Sequence, residues 1–157
     1  MLKCLSIPVL AVTVMLPGGF AQANESEGFW YLQSSVITRH FGNNARYNNR
    51  QDLIGLERNR ADQLIYGAAT FRNSFSQRSA YVYAGKRFDS SNWPVYAKLS
   101  GGLMHGYRGK YRDKIPLNRY GVAPVIVPSV GVDFGMLGAE LALGGAAAAL
   151  LNVGMKF

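Results

Sequence analysis

Residues 149–157 read ALLNVGMKF, and their alternation decides the fold. Leu151, Val153, Met155 and Phe157 fall on one side of an extended chain, while Asn152, Gly154 and Lys156 fall on the other. A period of two is that of a β-strand, whose side chains alternate between faces. Working backwards from this strand, seven more segments alternate or run apolar at strand length between turn residues. They are Trp30–His40, Asp52–Asn59, Gln63–Asn73, Ala80–Phe88, Val95–Tyr107, Val122–Phe134 and Leu137–Leu143. Between them the chain offers turns and almost no helical pattern.

The connections differ in character. Residues 59–62, 89–92 and 135–136 are short, whereas 42–51 and 108–121 are long and polar. Short turns at one end, longer loops at the other and an even strand count are the pattern of a bacterial transmembrane β-barrel. The reading is therefore an all-β chain forming an eight-stranded antiparallel transmembrane β-barrel. An apolar outer face ending in Phe157 resembles the last strand of outer-membrane proteins. A soluble β-sandwich or lipocalin-like barrel is the weaker alternative, since it would carry more charge on its outward face.

Composition agrees. Of 157 residues, 48% are hydrophobic and only 17% charged, which excludes a disordered polar chain. The 18 Gly, 9 Tyr and 8 Phe suit many short strands. Beyond the start of the chain no run of about 18 apolar residues occurs, so a helical membrane protein is excluded. At the N-terminus Lys3 precedes an apolar run, Cys4–Leu16, broken by Pro17, Gly18 and Gly19. Ala21-Gln22-Ala23 then supplies small residues for cleavage. This predicts a signal peptide over 1–23 and a barrel domain over 24–157. The apolar run, about 13 residues, is too short to span a bilayer. Cys4, the one cysteine, leaves with the signal, so a disulfide, a thiol nucleophile and a Cys-based metal site are all excluded.

The net charge of +8 admits nucleic acid, an anionic membrane surface or an acidic ligand as partner. The basic residues are scattered over turns apart from one loop, Arg108, Lys110, Arg112 and Lys114. That distribution argues against nucleic acid. Pro124, Ile126, Pro128, Val130, Val132 and Phe134 form an outward face on the sixth strand, and two prolines there predict a break in sheet pairing. Inward Lys98, Asp133, Glu140 and Lys156 predict an ion-paired floor, with inward Met104, Val125, Val127 and Leu150 making an apolar upper half. The inward small residues Gly85, Gly102, Gly131, Ala142 and Gly154 are expected to leave the lumen open enough for a hydrocarbon chain.

His40 and His105 are the only imidazoles. His40 ends the first strand and Asn73-Ser74 ends the third, so alternation places both at one rim. An imidazole beside a hydroxyl is the minimal acyl-transfer pair. Two histidines without an acidic cluster make a poor metal site.

The same segments resemble the lipid A palmitoyltransferase family of Gram-negative outer membranes. Tyr66–Phe75, YGAATFRNSF, is similar to the family segment with an Asp-Ser pair. Thr38-Arg39-His40 resembles the segment bearing its essential His. Ala84-Gly85 falls where the family sets the depth of its acyl pocket, and Pro124–Gly131, PVIVPSVG, resembles the strand beside which its lipids enter. Asn73 stands where the family has Asp; an Asn can orient an imidazole through its amide oxygen but cannot stabilise the cation by charge.

The resemblance implies a monomeric acyltransferase of the outer membrane, needing no cofactor and no metal. It would move an acyl chain from a phospholipid to lipid A. His40 would be the base, Asn73 its orienter, and Ser74 either the nucleophile or a donor to the oxyanion. Gly85, Tyr81 and Tyr83 would line the chain, Pro124 and Pro128 would flank its entry, and Arg108, Lys110 and Arg112 would face lipopolysaccharide phosphates. A lipid A deacylase and a non-enzymatic structural or adhesive barrel are the alternatives. A lumen packed shut would argue for the structural barrel.

Overall fold

A computed structural model describes residues 27–41, 47–144 and 148–157. The expected signal peptide, 1–23, lies outside them. The strands are β1 Phe29–His40, β2 Ile54–Asn59, β3 Leu64–Arg72, β4 Arg78–Asp89, β5 Val95–His105, β6 Val122–Phe134, β7 Leu137–Gly144 and β8 Ala148–Lys156. Each pairs antiparallel with its sequence neighbours, and β8 closes on β1. The barrel is all-β, as its alternation predicts. One short 3-10 helix, Gly109–Lys114, interrupts the basic loop.

Strand ends depart from the pattern where the backbone turns. β2 starts at Ile54 because Asp52 has a positive φ of 45°, and β3 starts at Leu64 because Gln63, at φ 68°, completes the preceding turn. β5 stops at His105 because Gly106 takes φ 131°, a conformation open to glycine and costly for other residues.

The two faces are as the alternation assigns them. Leu99, Leu103, Ile126, Val130, Leu137, Leu141 and Val153 are exposed on the outside, as are Pro124 and Pro128. Inside, Leu53, Ala69, Phe71, Tyr81 and Tyr83 form an apolar cluster, with Met104, Val125, Val127 and Leu150 against it. Below it lies the ion-paired floor. Lys98 Nζ meets Glu57 at 2.6 Å and Glu140 at 2.7 Å; Lys156 meets Asp133 at 2.8 Å; Arg87 meets Asp133 and, at 2.7 Å, Asp89. Tyr83 donates to Glu57 at 2.9 Å and Tyr96 to Glu140 at 3.1 Å. Buried charges are tolerated when paired and hydrogen-bonded in this way.

The inward glycines do not leave the lumen open. Each makes room for a tyrosine or lies tight against a neighbouring strand. A Cβ on Gly67 would strike the Tyr83 ring, one on Gly131 the Tyr96 ring, and one on Gly154 the Tyr31 ring. Tyr83 and Tyr96 sit directly opposite Gly67 and Gly131 in register. The aromatic rings fill the volume that the missing side chains vacate.

Candidate functional site

Loops after β1, β3 and β5 share one rim, here called the upper rim. A β-bulge decides what reaches it. The β1–β8 register shifts between Ser35 and Ile37, so Val36 is an extra residue. Before the bulge the odd positions Phe29, Tyr31 and Gln33 point inward; after it Thr38 and His40 do, each 4% exposed. Without the bulge His40 would face outward. Re-aiming a side chain is a common use of such an insertion.

Ser74 is placed by the turn between β3 and β4. The Asn73 side chain organises that turn: its Oδ1 accepts from Phe75 N at 2.9 Å and Gln77 N at 3.0 Å. Its amide donates to Ser79 Oγ at 3.1 Å and to the Gly106 carbonyl at 3.4 Å. Asn commonly folds turns in this way. The chain after β1 is tied to the same turn, with Asn48 N donating to the Ser74 carbonyl at 2.8 Å.

These ties converge on a three-residue chain. His40 Nε2 lies 2.7 Å from Ser74 Oγ, and His40 Nδ1 lies 2.9 Å from Asn49 Oδ1. An amide oxygen can only accept, so Nδ1 carries the proton and Nε2 offers its lone pair to the Ser74 hydroxyl. This is the nucleophile–base–orienter order of a catalytic triad. The His40 ring stacks on Tyr47, centroids 4.9 Å apart at 21°, and Phe75 packs edge-on against Tyr47 and face-on against Tyr111 at 4.0 Å.

The structure thus brings His40 and Ser74 together, and it corrects the orienter. Asn73 is 0% exposed with its oxygen spent on backbone N–H groups, so it does not touch the imidazole. Asn49 takes that place. The sequence offered no way to pick it, since Asn43, Asn44, Asn48 and Asn49 share one polar loop. His105 is no second base: its Nδ1 donates to the Gly121 carbonyl at 2.8 Å while its Nε2 accepts from Arg108 at 2.8 Å.

The expected acyl tunnel is also corrected. The lumen holds a cavity of about 120 Å³, lined by Leu53, Phe71, Tyr81, Tyr83, Met104 and Leu150 among others. A cavity of about 150 Å³ holds a benzene ring, and ligand pockets usually run to about 300–1,000 Å³. Gly85 does not line this cavity. A Cβ there would meet the Leu99 carbonyl oxygen and, at 2.7 Å, the Ser100 Cα, both backbone of the adjacent strand. Gly85 therefore permits close approach of β4 and β5 rather than setting a depth. Tyr81 and Tyr83 do line the cavity, stacked at 4.9 Å.

Among the described residues Pro128 has no partner in β7, as its ring predicts. β6 pairs with β5 along Val122–Val132, but its described pairing with β7 begins only at Ser129–Ala142. In β1, likewise, described pairing with β2 stops at Ser34–Ile54. Of the basic loop, Arg108 is engaged with His105 and Gln77, Lys110 lies 5.1 Å over the Tyr111 ring, and Arg112 donates to the Asn118 carbonyl at 3.2 Å. All three are exposed on the rim that carries Ser74. Among the described residues no group of three or more His, Cys, Asp and Glu is placed to hold a metal.

The chain matches no family model, and no curated protein matches it.

Proposed function

We propose that this protein is an acyl-ester enzyme of the Gram-negative outer membrane, in which Ser74 takes an acyl chain from a phospholipid and passes it to a hydroxyl of lipid A. The observation that carries this reading is the Ser74–His40–Asn49 chain, with contacts of 2.7 and 2.9 Å. The apolar outer face and the closed sheet, which leaves no unpaired edge along most of its height, suit a bilayer.

The steps balance without a cofactor. Ser74 Oγ attacks the ester carbonyl carbon as its proton passes to His40 Nε2, and the carbonyl π pair moves to oxygen. The oxyanion collapses, the C–O bond to the lysophospholipid breaks, and the leaving oxygen takes the proton from Nε2. An acyl ester of Ser74 remains. A lipid A hydroxyl then gives its proton to Nε2 and attacks; collapse returns the acyl group to the new ester and the proton to Ser74 Oγ. Asn49 holds the ring in the required tautomer throughout. Arg108, Lys110 and Arg112 face the acceptor's phosphates, which pair well with guanidinium and ammonium groups.

A second reading, hydrolysis by water in the second half, is favoured by one feature: a cavity of about 120 Å³ cannot hold an acyl chain inside the barrel. The chain would then lie along the apolar outer face, with Ser74 open to water at the rim. Mass spectrometry of lipid A from cells with and without the gene separates the readings. A gain of one acyl chain supports transfer, a loss supports hydrolysis, and no change leaves the structural barrel.

A further inference from the structure

An imidazole that takes the nucleophile's proton becomes a cation, and in a Ser-His-Asp triad a carboxylate stabilises it. Here the two ring nitrogens of His40 meet neutral groups, the Asn49 amide oxygen at 2.9 Å and the Ser74 hydroxyl at 2.7 Å. His40 is 4% exposed, so water adds little. Resting on the Ser74 reading, we infer that Tyr47 is a positioning residue for His40, whose π face stabilises the imidazolium where a triad would use a carboxylate.

The two rings lie nearly parallel, 21° apart, with centroids at 4.9 Å. The face of an aromatic ring is electron-rich and attracts a cation within about 6 Å of its centroid, more strongly where water is excluded. The charge exists only while His40 holds the proton, so the attraction is greater in the transition state than in the resting site. An interaction of that kind raises kcat and leaves KM alone. Stacking also fixes the plane of the imidazole, and with it the directions in which Nδ1 and Nε2 point at Asn49 and Ser74.

Tyr47 is held in place by the nucleophile's own turn. Phe75, the residue after Ser74, packs edge-on to it at 5.8 Å and stacks in turn on Tyr111 at 4.0 Å. The chain on from Tyr47 grips the same turn. Asn48 N donates to the Ser74 carbonyl at 2.8 Å, and the Asn48 side chain donates to the Asn73 carbonyl at 3.3 Å. Three consecutive residues, 47–49, thus hold the imidazole face, the nucleophile's backbone and the tautomer.

The test changes the ring by steps in the full-length protein, folded in detergent micelles and assayed on a soluble short-chain p-nitrophenyl ester. Rates are taken per molecule shown to be folded by heat-modifiable gel mobility. Tyr47→Phe keeps the aromatic face and should leave kcat within about two-fold of wild type. Tyr47→Leu removes the face and should lower kcat by about 3–30-fold with KM unchanged, equivalent to about 0.7–2 kcal/mol in the barrier. Trifluorophenylalanine at position 47 keeps the shape of the phenyl ring but has an electron-poor face, so it should be as slow as Tyr47→Leu. Packing alone would not distinguish it from Tyr47→Phe. A trifluorophenylalanine variant as fast as Tyr47→Phe, a Tyr47→Phe variant as slow as Tyr47→Leu, or a change confined to KM overturns the Tyr47 inference alone when an alkyl fluorophosphonate labels the wild type at Ser74. A wild type left unlabelled at Ser74 overturns both it and the nucleophile on which it rests.

Discussion

The floor of the barrel and its upper rim are both polar, and they spend polarity in opposite ways. In the floor Lys98, Glu57 and Glu140 bind one another, tyrosines cap the carboxylates, and every charge there answers another buried charge. At the rim the polar side chains are organised by turns, and the organisation ends on one hydroxyl, Ser74 Oγ, that is only half-buried. A closed network holds a shape. The chain that runs outward through Asn49 and His40 to the Ser74 hydroxyl is the arrangement that the proposed chemistry would use. By its nearly filled lumen the molecule reads as a purely structural barrel; the Ser74–His40–Asn49 chain is what that reading leaves unexplained.

Substitutions at the rim and in the floor should have opposite effects. At the rim, His40→Ala should cost on the order of 10²–10⁴ in rate, and Ser74→Ala at least as much, while heat-modifiable gel mobility shows the barrel still folded. In the floor, Lys98→Met should do the reverse. It strands two buried carboxylates, a loss of about 3–5 kcal/mol, read as a lower urea midpoint in micelles, with rate per folded molecule unchanged. A rim variant that unfolds the barrel, or a floor variant that abolishes turnover in folded protein, would contradict the division of labour.

The two asparagines sharpen it. Asn49→Ala should lower kcat by about 10², the size of effect that a misplaced catalytic group produces, with little change in stability. Asn73→Ala removes buried hydrogen bonds from the turn and should cost about 1–3 kcal/mol of stability. Its kcat falls only so far as Ser74 drifts from His40. Asn73→Asp should not raise activity, since residue 73 does not touch the imidazole. If Asn73 and not Asn49 carries the kinetic effect, the triad assigned here is wrong.

Much of the fold was legible because period two is a strong signal and the turns are marked by Gly, Asn, Asp and Pro. The faces of β5 to β8 and half of the ionic floor follow from alternation alone, and Pro128 marks where β6 loses its partner in β7. What alternation cannot carry is a change of its own phase. Val36 inserts one residue into β1, and nothing in the local composition marks it, yet it turns His40 inward. Nor does alternation say what fills the space opposite a glycine. Gly131 reads as a gap until register sets Tyr96 against it, and Gly154 until the Tyr31 ring reaches across it from two residues along β1. Asn49 was hidden for a third reason: a long loop brings it to His40, and loops carry no periodicity.

The smallest effect concerns that packing. Gly85→Met should lower folded yield through backbone contact with β5, by about 1–3 kcal/mol as overpacking does. It should leave the chain length of any product unchanged, as product mass will show; a switch to shorter chains would restore the internal ruler.

The most direct measurement is intact-mass analysis of the purified, folded barrel after incubation with an alkyl fluorophosphonate, followed by peptide mapping. One adduct is expected, on Ser74, formed by wild type, lost in His40→Ala, slowed in Asn49→Ala and kept in His105→Ala. An adduct that forms equally well without His40, or no adduct at Ser74, would contradict it.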